Sequence, residues 1–482
     1  MGWIVLTTTQ RNTLLVFAGT VGARVVFHFL TGFVADDAYI TFRYSRNLAE
    51  GLGFVYNPGE PVLGTSTPLF TLILALFMLF KIPPVTAALG LSLFSSGLTA
   101  VILYRFALSL RFTLVAVVPA LAYMLWPRSL VGDTCGMETA FFTLLVTAAF
   151  YYQHRRMEIY ALGAATLATV TRPEGGILLL LLFAYNLYLQ RDRWLAYVMI
   201  PVGLLGPWCL FAWSYFGSPV PNSVPAKLAL YSRFGAGSPF DNLVYLMAWH
   251  NPFGWIIFLA AIAGVRWLNK KQNSGRLETV WVLAMVCFFT FSNSRVFFWY
   301  VVPIYPIYLL LASATLPPVI DWLRGKTKVR FIRSHSPGKA VLLLVLAVVL
   351  GLGSYRPMMY YREYQVNLDS MHRQVGLYLH AHAEPEAVVA AEDIGYMGYY
   401  SGRYILDRDG LVSPEMHDYN RQGLYLDAIL KFSPDWLVAA ENSPISPFLT
   451  DSLFLQRFTK ERSFSNRDWT YVVFSSQEQS SE

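Results

Sequence analysis

Thr13-Leu14-Leu15-Val16-Phe17-Ala18-Gly19-Thr20-Val21-Gly22-Ala23-Arg24-Val25-Val26-Phe27-His28-Phe29-Leu30 leads almost directly into Asp36-Asp37-Ala38-Tyr39-Ile40-Thr41-Phe42-Arg43-Tyr44. An apolar run of that length predicts a helix across a bilayer, entered from the side that carries Arg11. The adjacent carboxylates that follow it then stand at the opposite membrane surface, where acidic side chains are costly and often functional. The run is too long for a signal peptide's apolar segment and more runs follow, so it reads as an uncleaved first span with the N-terminus inside.

Outward from this stretch the pattern repeats. Apolar runs fall at about 86–104, 112–127, 137–152, 159–171, 175–190, 195–216, 251–266, 278–292, 296–317 and 339–354, which predicts about 11 transmembrane helices. Arg105 with Arg111, Arg155 with Arg156, Arg191 with Arg193, Arg266 through Arg276 and Arg324 through Lys339 all fall on one side if the N-terminus is inside. That parity is the cytoplasmic bias of Lys and Arg. It holds only if the short apolar run Pro68 to Phe80 does not cross, so this run reads as a juxtamembrane helix lying on the outer face. The first outer loop then spans about 31–85.

Composition agrees. Of 482 residues, 55% are apolar and only 14% charged, with a mean hydropathy of +0.42, where soluble domains carry roughly 25% charged residues. The net charge of +7 is distributed as loop clusters, which excludes a nucleic-acid surface. Cys135, Cys209 and Cys287 lie far apart and form neither a disulfide framework nor a metal motif.

Beyond Ser354 the character changes, and 18 of the 30 acidic residues lie there. Met371 to Ala383 is helix-like, Gln422 to Phe432 reads as a second helix, and Ala387 to Ala391, Tyr404 to Leu406, Trp436 to Ala439 and Tyr471 to Phe474 are β-prone. The expected architecture is a mainly α, polytopic membrane domain (1–354) followed by an extracytoplasmic soluble α/β domain (355–482).

The outer face holds few carboxylates ahead of the tail. Asp36 and Asp37 are the first candidates, because adjacent, partly desolvated carboxylates can hold the raised pKa of a general base. The plainer alternative is that one of them caps the helix Ala38 to Leu48. Asp133 and Glu138 make a second acidic site, with a turn and a helix start as the plain reading. Arg172, Lys227 and Arg295 place three cations on the outer face, supported by Glu174, Asn222 and Tyr300. A carboxylate base facing a cationic patch is what transfer from a lipid phosphate requires. In the tail, Asp393-Ile394-Gly395 and the aromatic run Tyr396 to Tyr400 read either as a sugar-binding face or, preferably, as a strand end packed in a core.

The run from Asp36 to Tyr44, continued by Asn47-Leu48-Ala49-Glu50-Gly51-Leu52-Gly53-Phe54-Val55-Tyr56-Asn57-Pro58-Gly59-Glu60, resembles the first outer loop of GT-C glycosyltransferases. It is most similar to terminal arabinofuranosyltransferases of mycobacterial cell-wall assembly. Lipid A aminoarabinose transferases and protein O-mannosyltransferases are more distant. Gly136-Met137-Glu138-Thr139, Thr171-Arg172-Pro173-Glu174-Gly175, Glu392-Asp393-Ile394-Gly395 and Asp407 through Gly410 carry the likeness along most of the chain.

The resemblance implies inverting transfer of a sugar from a polyprenyl-phosphate donor to an outer glycan, lipid or protein acceptor, in the inner membrane. A first-loop aspartate would be the base, which leaves Asp36 and Asp37 both open. A second-loop acid, Asp133 or Glu138, would assist. No metal cofactor is required, and a divalent cation between Asp133 and the phosphate remains compatible with the sequence. The alternative is a transporter or flippase of lipid-linked glycans, which would favour charges deep within spans. Arg24 is the strongest such candidate. A membrane scaffold with a sensory outer domain explains the topology but leaves the carboxylates without work.

Overall fold

The computed structural model describes residues 7–112, 115–235, 238–247, 252–292, 295–326, 352–466 and 469–477. Helix α1 (Thr8–Thr31) opens on a capping box, in which the Thr7 hydroxyl accepts from the Gln10 amide and the Gln10 side chain accepts from Thr7. It ends where Gly32 takes the left-handed conformation. Leu14, Leu15, Val26 and Phe29 are exposed along it. Such a continuous apolar exterior suits lipid and not water.

Among the described residues, Thr8–Thr31, Pro84–Ser109, Arg191–Phe216 and Phe298–Trp322 are long and apolar enough to cross a membrane. Pro127–Thr134 and Thr139–His154, bent by 116°, add a fifth if the pair is one span. The chain is a polytopic membrane protein with a small mixed-sheet domain at its C-terminal end.

The count by length is lower than the eleven expected, although the expected stretches up to 296–317 fall on helices. Glu158–Thr171 and Thr139–His154 have 14 and 16 residues, about 21–24 Å at 1.5 Å per residue. That is short of an apolar core of about 30 Å. The expected span 112–127 is a helix only over Val118–Leu125, because Pro127 holds Trp126 extended at ψ 122° and stops it. The expected span 339–354 lies outside the described residues apart from 352–354, as do Asn293 and Ser294. Pro68–Leu79 is a separate helix of 12 residues.

The tail forms a five-stranded sheet in the order β2-β1-β3-β5-β4: β1 (Val388–Ala391), β2 (Tyr404–Asp407), β3 (Trp436–Ala440), β4 (Phe458–Ser465) and β5 (Thr470–Ser476). β1 pairs in parallel with β2 and β3, while β5 runs antiparallel between β3 and β4. The sequence did not mark β4, whose Lys460, Glu461 and Arg462 are exposed. Charge there keeps an open edge from pairing with other chains.

Helix α2 (Asp36–Ala49) joins the two parts. Nearly all of it from Ala38 to Ser45 is buried, because it serves two cores at once. Ala38, Tyr39 and Phe42 pack with Phe27, Phe70, Leu74 and Ala88 of the membrane part. Ile40 and Tyr44 pack with Val375, Val389 and Ile405 of the tail.

Polar groups of the same loop complete the joint. The Arg43 guanidinium donates to the carbonyls of Tyr56 (2.9 Å), Gly398 (2.7 Å) and Arg403 (2.7 Å). The Tyr56 hydroxyl donates to the Ile394 carbonyl at 2.6 Å. Asn57 closes the outer edge of β2 as a neighbouring strand would: its side chain donates to the Ile405 carbonyl (2.9 Å) and accepts the Ile405 amide (3.0 Å). Gly395 is required by close approach, since a Cβ there would overlap the Asp36 backbone carbonyl.

Two substitutions test this joint. Arg43→Ala leaves the Arg403 carbonyl without its side-chain donor, removes the bonds to the Gly398 and Tyr56 carbonyls, and is expected to destabilise by roughly 1–3 kcal/mol. Gly395→Ala is expected to loosen the tail from α2. Thermal unfolding and limited proteolysis of the purified protein read both; unchanged melting and cleavage patterns would contradict the joint.

Candidate active site

Helix α2 begins at Asp36 itself, after Ala35, and no side chain caps it. Successive helical residues point about 100° apart, so Asp36 and Asp37 face different surroundings. The Asp36 carboxylate accepts the backbone amides of Gly395 (3.0 Å) and Tyr396 (2.9 Å). These lie at the start of the short helix Tyr396–Ser401. Asp36 is therefore a helix cap, but for a helix of the tail and not for its own. Burial pushes its carboxyl up to about 6, opposed by the charge of His372.

Asp37 is exposed and has no hydrogen bond or ion pair among the described residues. Although its surface is open, desolvation by the protein packed around it raises its carboxyl above the ordinary aspartate value, opposed by the Lys227 ammonium and reinforced by Asp393. Lys227 donates to the Tyr300 hydroxyl at 2.9 Å. Burial works against its charge, but Tyr300 and Asp37 outweigh that and hold its pKa above the usual lysine value. The acidic pair thus divides into a bonded member and a free one within the electrostatic influence of a cation.

The other predicted site residues separate. Asp133 is fully buried; its Oδ2 accepts Arg24 at 2.8 Å and the Tyr123 hydroxyl at 2.7 Å. A carboxylate closed inside the helices against a guanidinium cannot serve as an outer second acid. The deep charge of Arg24 is thus paired within the helices. Glu138 is also buried, 3.6 Å from Arg172, which lies 2.6 Å from Glu174 and donates to the Trp299 carbonyl. With 3% of its side chain exposed and two carboxylates on it, Arg172 does not share an open patch with Lys227 and Arg295. It braces Tyr300 instead, whose ring lies 5.1 Å from the guanidinium and 5.6 Å from the Lys227 ammonium.

Asn222 ties three segments together: its side chain donates to the Gly410 and Leu411 carbonyls, both at 2.8 Å, and its amide to the Leu63 carbonyl at 2.7 Å. Arg295 is exposed and lines a cavity beside the tail. The run Tyr396 to Tyr400 is neither a strand end nor a free sugar face. It is a short helix whose rings pack on Tyr39, with centroids 4.0 Å apart for Tyr396.

Two residues escaped the sequence reading. His372 and Tyr471 both hold the Asp393 carboxylate, His372 at 3.6 Å and Tyr471 through its hydroxyl. Burial alone would raise Asp393, but these two contacts outweigh it and keep the acid below its usual value. No spacing links His372 to Tyr471, so only the fold brings them together.

No curated protein matches the sequence. A family described as "Domain of unknown function (DUF8728)" matches residues 357–480. Two solved structures share the fold over nearly the whole length. ArnT from Cupriavidus metallidurans bound to undecaprenyl phosphate superposes with a TM-score of 0.63 at 14% identity, covering 96% of this chain and 97% of that one. The apo state of the same protein gives 0.62 at 15%, covering 97% and 98%. The chain shares the fold of these ArnT structures over nearly its whole length.

If Asp133 serves structure, its partner decides its worth. Asp133→Asn leaves Arg24 buried and uncompensated and is expected to cost about 3–5 kcal/mol. Replacing both, Asp133→Asn with Arg24→Met, should recover much of that loss. A double-mutant cycle by thermal unfolding reads the coupling; strict additivity would show that the pair does not support the fold.

Proposed function

We propose that this protein transfers a sugar from a polyprenyl-phosphate donor to an acceptor hydroxyl at the outer face of the inner membrane, with inversion and with Asp37 as base. The observation that carries this reading is the unbonded Asp37 carboxylate at the start of α2, within the electrostatic influence of Lys227, in a chain that shares the fold of ArnT. The similar ArnT structure has undecaprenyl phosphate bound, which supports a polyprenyl phosphate as the carrier here.

In this reading Asp37 accepts the proton of the acceptor hydroxyl as the oxygen attacks the anomeric carbon. The bond from that carbon to the phosphate oxygen breaks, and its electron pair leaves with the polyprenyl phosphate. Lys227 and Arg295 hold the charge that develops on the leaving phosphate, and the Tyr300 hydroxyl orients the ammonium. Asp36 keeps the tail seated on α2 and so positions its neighbour. The lipid tail enters from the bilayer, and the acceptor from the aqueous side.

The pH dependence has a definite sign. A base must be ionised, and its pKa is raised by desolvation, so activity falls as pH drops through an inflection above the ordinary aspartate value. Lys227 opposes that rise; Lys227→Met should therefore move the inflection to higher pH and raise the donor KM. Asp37→Asn should lower kcat by roughly 10²–10⁴ without lowering the melting temperature. Asp36→Asn should lower both. Reconstituted protein and a pool of labelled polyprenyl-phosphate sugars provide the assay. A fully active Asp37→Asn would remove the base assignment, and donor that crosses the bilayer uncleaved would favour a flippase.

A further inference from the structure

A cavity of ≈ 400 Å³ opens at the carboxyl ends of the tail's parallel strands. Its position follows from topology. The chain leaves β1 toward β2 and returns across to β3 on the other side, since the order is β2-β1-β3. Loops that depart in opposite directions leave a crevice between β1 and β3, and open α/β sheets bind their ligands at such a point. Asp393 follows β1, Asp409 follows β2, Asn442 follows β3, and Trp469 precedes β5, and all four line the cavity. Tyr231 and Arg295 of the membrane part close its other wall.

The lining is mixed in a particular way. Asp393 is held by His372 and Tyr471, yet its side chain remains 42% exposed. The Asp409 carboxylate has no hydrogen-bond partner among the described residues, and Asn442 and Trp469 are exposed. Glu392 is used internally, accepting the Ala440 amide and the Ser443 hydroxyl, and so fixes the turn that carries Asn442. Carboxylates accept from hydroxyls, an amide both accepts and donates, and an indole ring offers a flat apolar face. Together they suit a polyhydroxylated ring. The volume lies within the roughly 300–1,000 Å³ of small-ligand sites.

We infer that this cavity is a saccharide subsite, formed by Asp393, Asp409, Asn442 and Trp469, and that it seats the acceptor. The second half rests on the transferase reading above. Arg295 belongs both to this cavity and to the proposed phosphate grip, so the acceptor lies next to the donor. Asp36, the neighbour of Asp37, accepts the Gly395 and Tyr396 amides just after Asp393, so this end of the cavity adjoins the start of α2.

The test is binding without donor. Full-length protein in detergent is titrated with free hexoses, pentoses and their disaccharides, and contact is read by saturation-transfer NMR. At least one sugar is expected to bind the wild type, and Trp469→Ala and Asp409→Asn should each weaken it tenfold or more. Thermal unfolding of the same variants reports whether they are folded. Should Trp469→Ala lower the melting temperature, Asn442→Ala, on an exposed turn, replaces it under the same criterion.

Absence of sugar binding, or binding untouched by these substitutions, overturns the subsite. Sugar bound through Trp469 by a protein that consumes no donor keeps the subsite and removes the transferase reading.

Discussion

Everything in this molecule turns on a short helix that belongs to two cores. From Ala38 to Ser45, α2 has almost no solvent-facing surface, since Phe42 points into the membrane part and Tyr44 into the tail. A helix so enclosed cannot shift toward one partner without opening the other. Its first residue fixes the register: with both oxygens of Asp36 taken by Gly395 and Tyr396, the next carboxylate has one direction left. The asymmetry between two chemically identical neighbours is thus a product of helical geometry and one docking contact.

Charge in the rest of the molecule sorts by whether it is already compensated. Arg24 with Asp133, and Arg172 with Glu138 and Glu174, are closed sets buried in the helices. Removing water from such charges is expensive, and they persist because each has its opposite beside it. Among the described residues Lys227 and Arg295 have no bonded anion, and a hydroxyl, a nearby carboxylate and a cavity surround them instead. On the proposed reading, a donor phosphate meets only this uncompensated set. Tyr300 is where the two sets meet, its ring 5.1 Å from the Arg172 guanidinium and 5.6 Å from the Lys227 ammonium.

The sequence made the architecture legible through two signals, the apolar run lengths that marked the polytopic part and the change in composition that marked a mixed α/β tail. The first-loop motif carried the fold further, because Asp36, Arg43, Tyr56 and Asn57 are the residues that bind the tail. What could not be read was which partners they meet. Asp36 as a helix cap was foreseeable, but the helix it caps lies some 360 positions later. Arg172, Lys227 and Arg295 looked equivalent because each is a lone cation near a span end; burial against Glu174 distinguishes the first, and burial is not a local property. β4 went unseen because an edge strand guarded by Lys460, Glu461 and Arg462 has the composition of a loop. His372 reaches Asp393 only through tertiary packing.

The closure of β2 by Asn57 has a consequence for how the protein is made. The segment from 357 to 480 is a unit of sequence, yet one edge of its sheet is finished by a residue synthesised about 350 positions earlier. Chains are built from the N-terminus, and early parts fold first. The first loop must therefore wait at the membrane surface, its Asn57 and Arg43 unmatched, until the far end of the chain arrives. Until then Asp36 has no amides to bind and nothing fixes the direction of Asp37. An unfinished chain therefore carries the acidic pair but not its orientation.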